Sequence, residues 1–172
     1  MKSGIIITAM AALAFAVFAV AEAQDDWGAD VDQRLFGHMI TIDEPAEPGI
    51  TTAVINGIAK GEPGSAQVTA VLVYEQPFVP NSNCPPGFVL GADVISLQWG
   101  ETYNDGSLLA GSADPDQVIC LNADATQSAA DVTGSIDAST GRFEGASGTW
   151  RIEAFSIPGI SPVTGTLTAD FN

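Results

Sequence analysis

Alternation is what most constrains this chain. In 163–171 the residues Val163, Gly165, Leu167, Ala169 and Phe171 share one parity, while Thr164, Thr166, Thr168 and Asp170 share the other. A strand here buries one face and wets the opposite one. Trp150, Ile152 and Ala154 repeat the pattern one run earlier. No segment beyond residue 34 sustains a helical period for more than about two turns. Runs rich in Val, Ile and Thr instead occupy 35–42, 51–59, 66–74, 88–99, 107–112, 118–121, 130–136, 149–157 and 163–171. Residues that turn a backbone separate them. Asn104-Asp105-Gly106, Glu62-Pro63-Gly64 and Pro158-Gly159 supply positive or fixed φ, and Pro45 and Pro48 exclude a strand between them.

The expected architecture is therefore all-β, a single antiparallel domain of about eight principal strands. Closure into a barrel removes the unpaired edges of an open sheet, and a β-sandwich satisfies the same periodicity. In 66–74 the set Val68, Ala70, Leu72 and Tyr74 shares a face, but Val71 and Val73 make the other face apolar too, as in a strand covered on both sides. Ala53, Gly57 and Ala59 thin one face of 51–59, which suits tight curvature.

Ahead of these strands, Lys2, the apolar run 5–21 and Ala21-Glu22-Ala23 have the form of a secretory signal with its cleavage site. The run is at the lower limit for an uncleaved anchor and the cleavage site follows it directly, and no Cys at the cleavage point calls for a lipid anchor. The expected division is a signal peptide at 1–23, a flexible acidic leader at 24–34 and the β domain at 35–172. The mature chain is then secreted or periplasmic, with no later segment apolar enough for stable membrane insertion.

Acidity narrows the partners. The net charge is −16, and beyond residue 23 only Arg34, Lys60, Arg142 and Arg151 oppose it. Such a surface repels phosphate backbones and anionic lipid, so nucleic acid is not an expected partner. Cys84 and Cys120, the only cysteines, lie in the exported part and are expected to pair; they lack the C-x-x-C spacing of a redox couple. Cys84 sits in a Pro-rich loop and Cys120 inside the apolar stretch 118–121, so a bond would pin loop to strand. No G-x-S-x-G, Walker, dinucleotide-fingerprint or H-E-x-x-H motif occurs, and nothing calls for a cofactor.

Residues 136–150 read IDASTGRFEGASGTW. Thr140-Gly141 makes a turn, Phe143 drops a ring onto the core, Glu144 to Ala146 can form one helical turn, and Gly148 frees the backbone to re-enter a strand. Gly141, Arg142, Phe143, Gly145 and Gly148 thus build a structural corner. This T-G-R-F-x-G-A-S-G run, with the closing G-T-L-T-x-x-F strand, resembles the final hairpins of the allene oxide cyclase-like and dirigent-like barrel proteins, including small bacterial exported members. The likeness is most specific over 140–148 and extends loosely from 102 to 171, where Asn104-Asp105-Gly106-Ser107-Leu108 looks like a hairpin of a middle strand pair. It implies an eight-stranded antiparallel barrel with a central cavity. In plant allene oxide cyclases such a cavity cyclises an oxidised fatty acid, and in dirigent proteins it steers phenoxy radical coupling. No catalytic position carries over, because the shared corner is structural.

The remaining candidates have bland readings beside the functional ones. His38 is the only histidine and has no fixed-spacing partner, so a structural or exposed role is expected. Asp25-Asp26, Asp30-x-Asp32 and Asp114-Pro115-Asp116 offer oxygen donors but match no calcium loop, so no metal site is expected. Arg142 is expected to lock the corner through a bidentate carboxylate pairing, with Arg151 flanking the same motif. Trp99, Trp150, Tyr74, Tyr103 and Phe88 could line a cavity or fill a core. The sequence thus points to an exported non-catalytic module, binding a small apolar molecule or serving in structure or interaction; the alternative is a cyclase or isomerase acting on an apolar substrate in the barrel. Intact-mass measurement of exported protein should show a chain beginning at Gln24; one retaining residues 1–23 would overturn the cleavage reading.

Overall fold

The computed structural model describes residues 31–43, 49–157 and 160–171. The expected signal segment, residues 24–30 of the expected leader and the Pro45, Pro48 and Pro158-Gly159 punctuation lie outside the described residues. The chain forms β1 (Val31–Asp43), β2 (Ile50–Glu62), β3 (Ala66–Glu75), β4 (Val79–Pro80), β5 (Leu90–Tyr103), β6 (Leu108–Ala113), β7 (Val118–Leu121), β8 (Ser128–Thr140), β9 (Gly148–Ile157) and β10 (Ile160–Phe171). Every pairing is antiparallel. β6 and β7 share one row between β5 and β8, and β4 continues the row of β3 along β5. The result is a closed eight-stranded up-and-down barrel, sealed where β1 pairs β10. That closure selects the barrel over the sandwich.

Turn chemistry sets the meander. Gly106 has φ 84°, and the Asp105 carboxylate accepts from the Ser107 amide at 2.9 Å, so 104–106 reverses the chain between β5 and β6. β1 reaches beyond the expected 35–42. β1 starts at Val31 because Val31 and Gln33 continue the inward parity of Leu35, and both are fully buried. β5 likewise runs past Trp99 to Tyr103.

Two tryptophans fill the centre. Trp150 is 2% exposed, meets Trp99 edge to face at 5.6 Å, and donates from Nε1 to the Ser135 carbonyl at 2.9 Å. Glycine makes the room: a Cβ on Gly134 or on Gly111 would come within 2.5 Å of the Trp150 indole. Leu109, Val132 and Leu167 pack around the pair, against a wall thinned by Ala53, Ala59 and Ala70. The outer face of β3 is not covered as expected, because Val71 is 39% exposed on the barrel's exterior.

Cys84 and Cys120 are disulfide-bonded with their α-carbons 5.7 Å apart, tying the loop after β4 to β7. At the corner, Gly141 has φ 64° and the helical turn is 3₁₀ over Gly141–Phe143, upstream of the expected 144–146. It falls there because Phe143 must reach the core, where it is 3% exposed and its ring lies 4.9 Å from Tyr103 and 6.2 Å from Phe171. Gly145 has φ 83°, and at Gly148 a Cβ would strike the Asp170 carbonyl of β10.

Gly134→Ala should destabilise the barrel by about 2 kcal/mol, because the added methyl strikes the Ser112 carbonyl of β6 as well as the Trp150 indole; chemical denaturation checks it. Cys84→Ser with Cys120→Ser should remove up to about 4 kcal/mol in the chain-entropy account of a loop of this length, and an unchanged midpoint would contradict it.

Candidate functional site

Polar side chains meet inside one end of the barrel. The alternation of β5 turns Trp99, Glu101 and Tyr103 inward, and β1 brings Gln33 from across the interior. Glu101 and Gln33 are both fully buried. The Tyr103 hydroxyl donates to Glu101 Oε2 at 2.6 Å and accepts from Gln33 Nε2 at 3.2 Å. Gln33 Nε2 also donates to the Gly64 carbonyl at 2.9 Å. A carbonyl can only accept, so the amide nitrogen must face Gly64 and the amide oxygen is left over. Gln33 Oε1, Glu101 Oε1 and Trp99 Nε1 are buried without a hydrogen-bond partner. Each such group costs about 1–3 kcal/mol, which marks the cluster as more than packing.

Charge follows geometry. Burial pushes the Glu101 carboxyl up to about 7, outweighing the hydrogen bond from Tyr103 that favours the anion. Burial and then the neighbouring Glu101 hold the Tyr103 hydroxyl far above the ordinary phenol range. The Arg142 guanidinium closes this end, stacked 4.4 Å over the Tyr103 ring and 4.8 Å over Phe143.

The opposite end is apolar and less tightly filled. Leu35, Met39, Ile55, Phe78, Val94, Ala130 and Ala154 pack on the core but stay only partly buried. Gly37 pairs with Gly57, and Leu35 with Gly165, so the β1, β2 and β10 wall carries little side-chain bulk here. A hollow of about 370 Å³ lies on the β8, β9 and β10 lip, lined by Gln127, Ser128, Phe155, Ser156, Pro162 and Thr164. A second, of about 360 Å³, lies on the exterior of β3 and β5 beside Val71 and Gln98.

The residues singled out from sequence are dispersed. His38 lies on the outer face of β1, exposed. Asp114 accepts from the Thr133 hydroxyl at 3.1 Å, Asp116 has φ 63°, and Asp25, Asp26 and Asp30 lie outside the described residues. Among the described residues no three His, Cys, Asp or Glu side chains gather as a metal cluster. Arg142 lies 3.6 Å from Asp105, but its main contacts are the two aromatic faces rather than a bidentate carboxylate. The bidentate pairing belongs to Arg151, whose two nitrogens each reach Asp131 at 2.7 Å, with Glu153 also at 2.7 Å. Trp99, Trp150, Tyr74 and Tyr103 are buried core, while Phe88 is half-buried against Phe155.

Gln33 and Glu101 were not foreseen. Their signal was parity: each polar residue falls on the inward set of its strand, between Val31 and Leu35 or between Trp99 and Tyr103.

No protein-family model, curated protein or solved structure matches this chain. Among the described residues no helix is long and apolar enough to cross a membrane, and the disulfide is compatible with an extracellular or periplasmic location.

A carboxyl whose pKa is raised on folding binds more protons folded than unfolded, so its contribution to stability is lost as pH rises. Glu101 should therefore cost on the order of 3 kcal/mol between about pH 4.5 and 7. Asp105, Asp124 and Asp131 are held below the usual carboxylate range and act at lower pH. Glu101→Gln should flatten the decline above pH ~5; an unchanged slope in urea titrations would show that Glu101 is not its source.

Proposed function

We propose that this chain is an exported, non-catalytic barrel that binds a small apolar molecule through the open end of its interior. The observation that carries the reading is the contrast between the two ends. Trp99, Trp150, Leu109 and Leu167 close the barrel's centre, whereas Leu35, Met39, Ile55 and Ala154 present inward apolar surface that no described residue fully covers. A concave apolar wall relieved of water by a ligand is the usual form of a small-molecule site. Export is supported by the signal-like 1–23 segment and by the disulfide. The likeness of 140–148 to allene oxide cyclase-like and dirigent-like barrels supports the same reading, since those folds use a barrel interior.

A second reading, a cyclase or isomerase on an apolar substrate, is favoured by the Glu101 and Tyr103 pair. A buried carboxyl that exchanges its proton near neutral pH is suited to general acid–base work. In that case Glu101→Gln abolishes turnover while leaving ligand binding in place.

Titration with a neutral naphthylamine fluorophore should be saturable. Met39→Trp, which fills the mouth, should weaken binding by roughly tenfold without lowering the melting temperature. Flat titrations of the folded wild type would discard the ligand reading and leave a structural module.

A further inference from the structure

One side of the barrel's exterior carries no acidic side chain. The outward residues of β1, β2 and β3 lie side by side in the antiparallel register: Phe36 beside Ile58, Ile40 beside Val54, and Val54 beside Val71, with Ile42 near the end of β1. No Asp, Glu, Lys or Arg occurs in 36–42, 52–58 or 67–73, although the chain's net charge is −16. Phe36, Ile40, Ile42, Ile58 and Val71 are 39–62% exposed there. The opposite side, on β8 and β9, is charged and carries Asp131, Arg151 and Glu153. We propose that the β1–β3 face is the contact of a homodimer, two copies meeting face to face about a two-fold axis that runs across the strands.

The occupant follows from charge and area. Two copies of a strongly acidic chain repel wherever carboxylates meet, so they approach most closely through the face that has none. Charge at the two ends of the face selects the axis. Arg34 and Lys60 are register partners at the end beyond Phe36 and Ile58, and the exposed Glu75 lies at the other end, opposite Ile50. In an isologous contact, an axis along the strands would set Arg34 and Lys60 against the same cations of the second copy. An axis across the strands sets them against Glu75 and sets the Phe36 end against the Ile42 end, two sheets packed about 10 Å apart. Asp32 and Glu62 stand one outward position further out, beyond the apolar rows. At the centre Thr69 Oγ1 donates to Asn56 Oδ1 at 3.1 Å, so these two groups enter the contact already paired. At about 150–200 Å² for a large apolar side chain, the exposed fractions of Phe36, Ile40, Ile42, Ile58 and Val71 offer roughly 400 Å² per copy. Both copies, with the polar rim, reach about 1,000 Å², where specific interfaces begin. Such an area suits a weak, reversible dimer.

Sedimentation equilibrium of the folded wild-type protein in about 0.15 M salt, which screens charges beyond about 8 Å, should fit a monomer–dimer equilibrium with a Kd of roughly 10–100 µM. Ile40→Asp should raise that Kd at least about tenfold and leave the melting temperature unchanged, because Ile40 is 62% exposed. A zero-length carbodiimide reads the orientation. Lys60 is the only lysine beyond residue 23, and the length of β2 from Ile50, the register partner of Glu75, separates the two. That span is roughly 33 Å, so an amide joining the Lys60 and Glu75 side chains forms only between copies, and it should be found in the crosslinked dimer. A monomer at every concentration overturns the proposal. So does a dimer that Ile40→Asp leaves intact, or one whose crosslinks between copies never join Lys60 to Glu75. Where Ile40→Asp fails to fold, the wild-type crosslink decides.

Discussion

Eight register pairs between β1 and β10, from Val31 with Ala169 to His38 with Pro162, turn a meandering sheet into a barrel. Without them the two strands furthest apart in sequence would each expose a row of unsatisfied amides and carbonyls. Closure also creates the interior. Only once β1 stands beside β10 does Gln33 face Tyr103 across the barrel, and only then do Leu167 and Ala169 pack on the tryptophan pair. The pairing joins nearly the first and last described residues, so its loop-closure entropy falls due late and is offset by burial of the whole core.

The barrel is curved by glycine and filled by tryptophan, and the two depend on each other. Gly111 and Gly134 lie where the Trp150 indole passes, and the β6 and β8 pairing shifts register beside them at Ala110/Gly111; β3 and β5 carry a further shift at Val73/Tyr74. Bulges of this kind tighten strand twist and let a small number of strands close. The centre takes its large side chains from Trp99, Leu109 and Trp150, and its small ones from Ala53 and Ala59 of β2 and Ala70 of β3. The asymmetry leaves the looser apolar wall on the β1 and β2 side.

Against that core the buried polar cluster is an expense. A carboxyl, an amide and an indole nitrogen with open hydrogen-bonding positions lower stability, and packing alone gives no reason for them. By contrast the Arg151, Asp131 and Glu153 group satisfies good geometry but is about half exposed, and such pairs contribute little at ordinary ionic strength. The net charge of −16 is thus mainly a matter of solubility and of which partners are repelled, whereas Glu101 is the one carboxyl that is fully buried among the described residues.

Much of the fold was legible in the chain. Period-two runs and turn residues located every barrel strand to within a few residues, because a strand exposes its burial pattern directly in its parity and Gly, Asn and Pro act locally. The cysteine pair was legible as the only one available. The ends of β1 and β5 were not, since Gln33 and Glu101 are polar residues on inward parities, and local reading ends a strand where polarity breaks the pattern. Their burial is set by neighbours far away in sequence: Tyr103 for Gln33, and for Glu101 the strands β3 and β6 on either side. By itself the sequence determined an antiparallel β domain, its corner and its staple, all of which rest on local backbone preference or on a forced pairing. The barrel rather than the sandwich, and the buried polar cluster with its raised Glu101, were decided only by tertiary structure, because both arise from contacts that exist once β1 closes on β10.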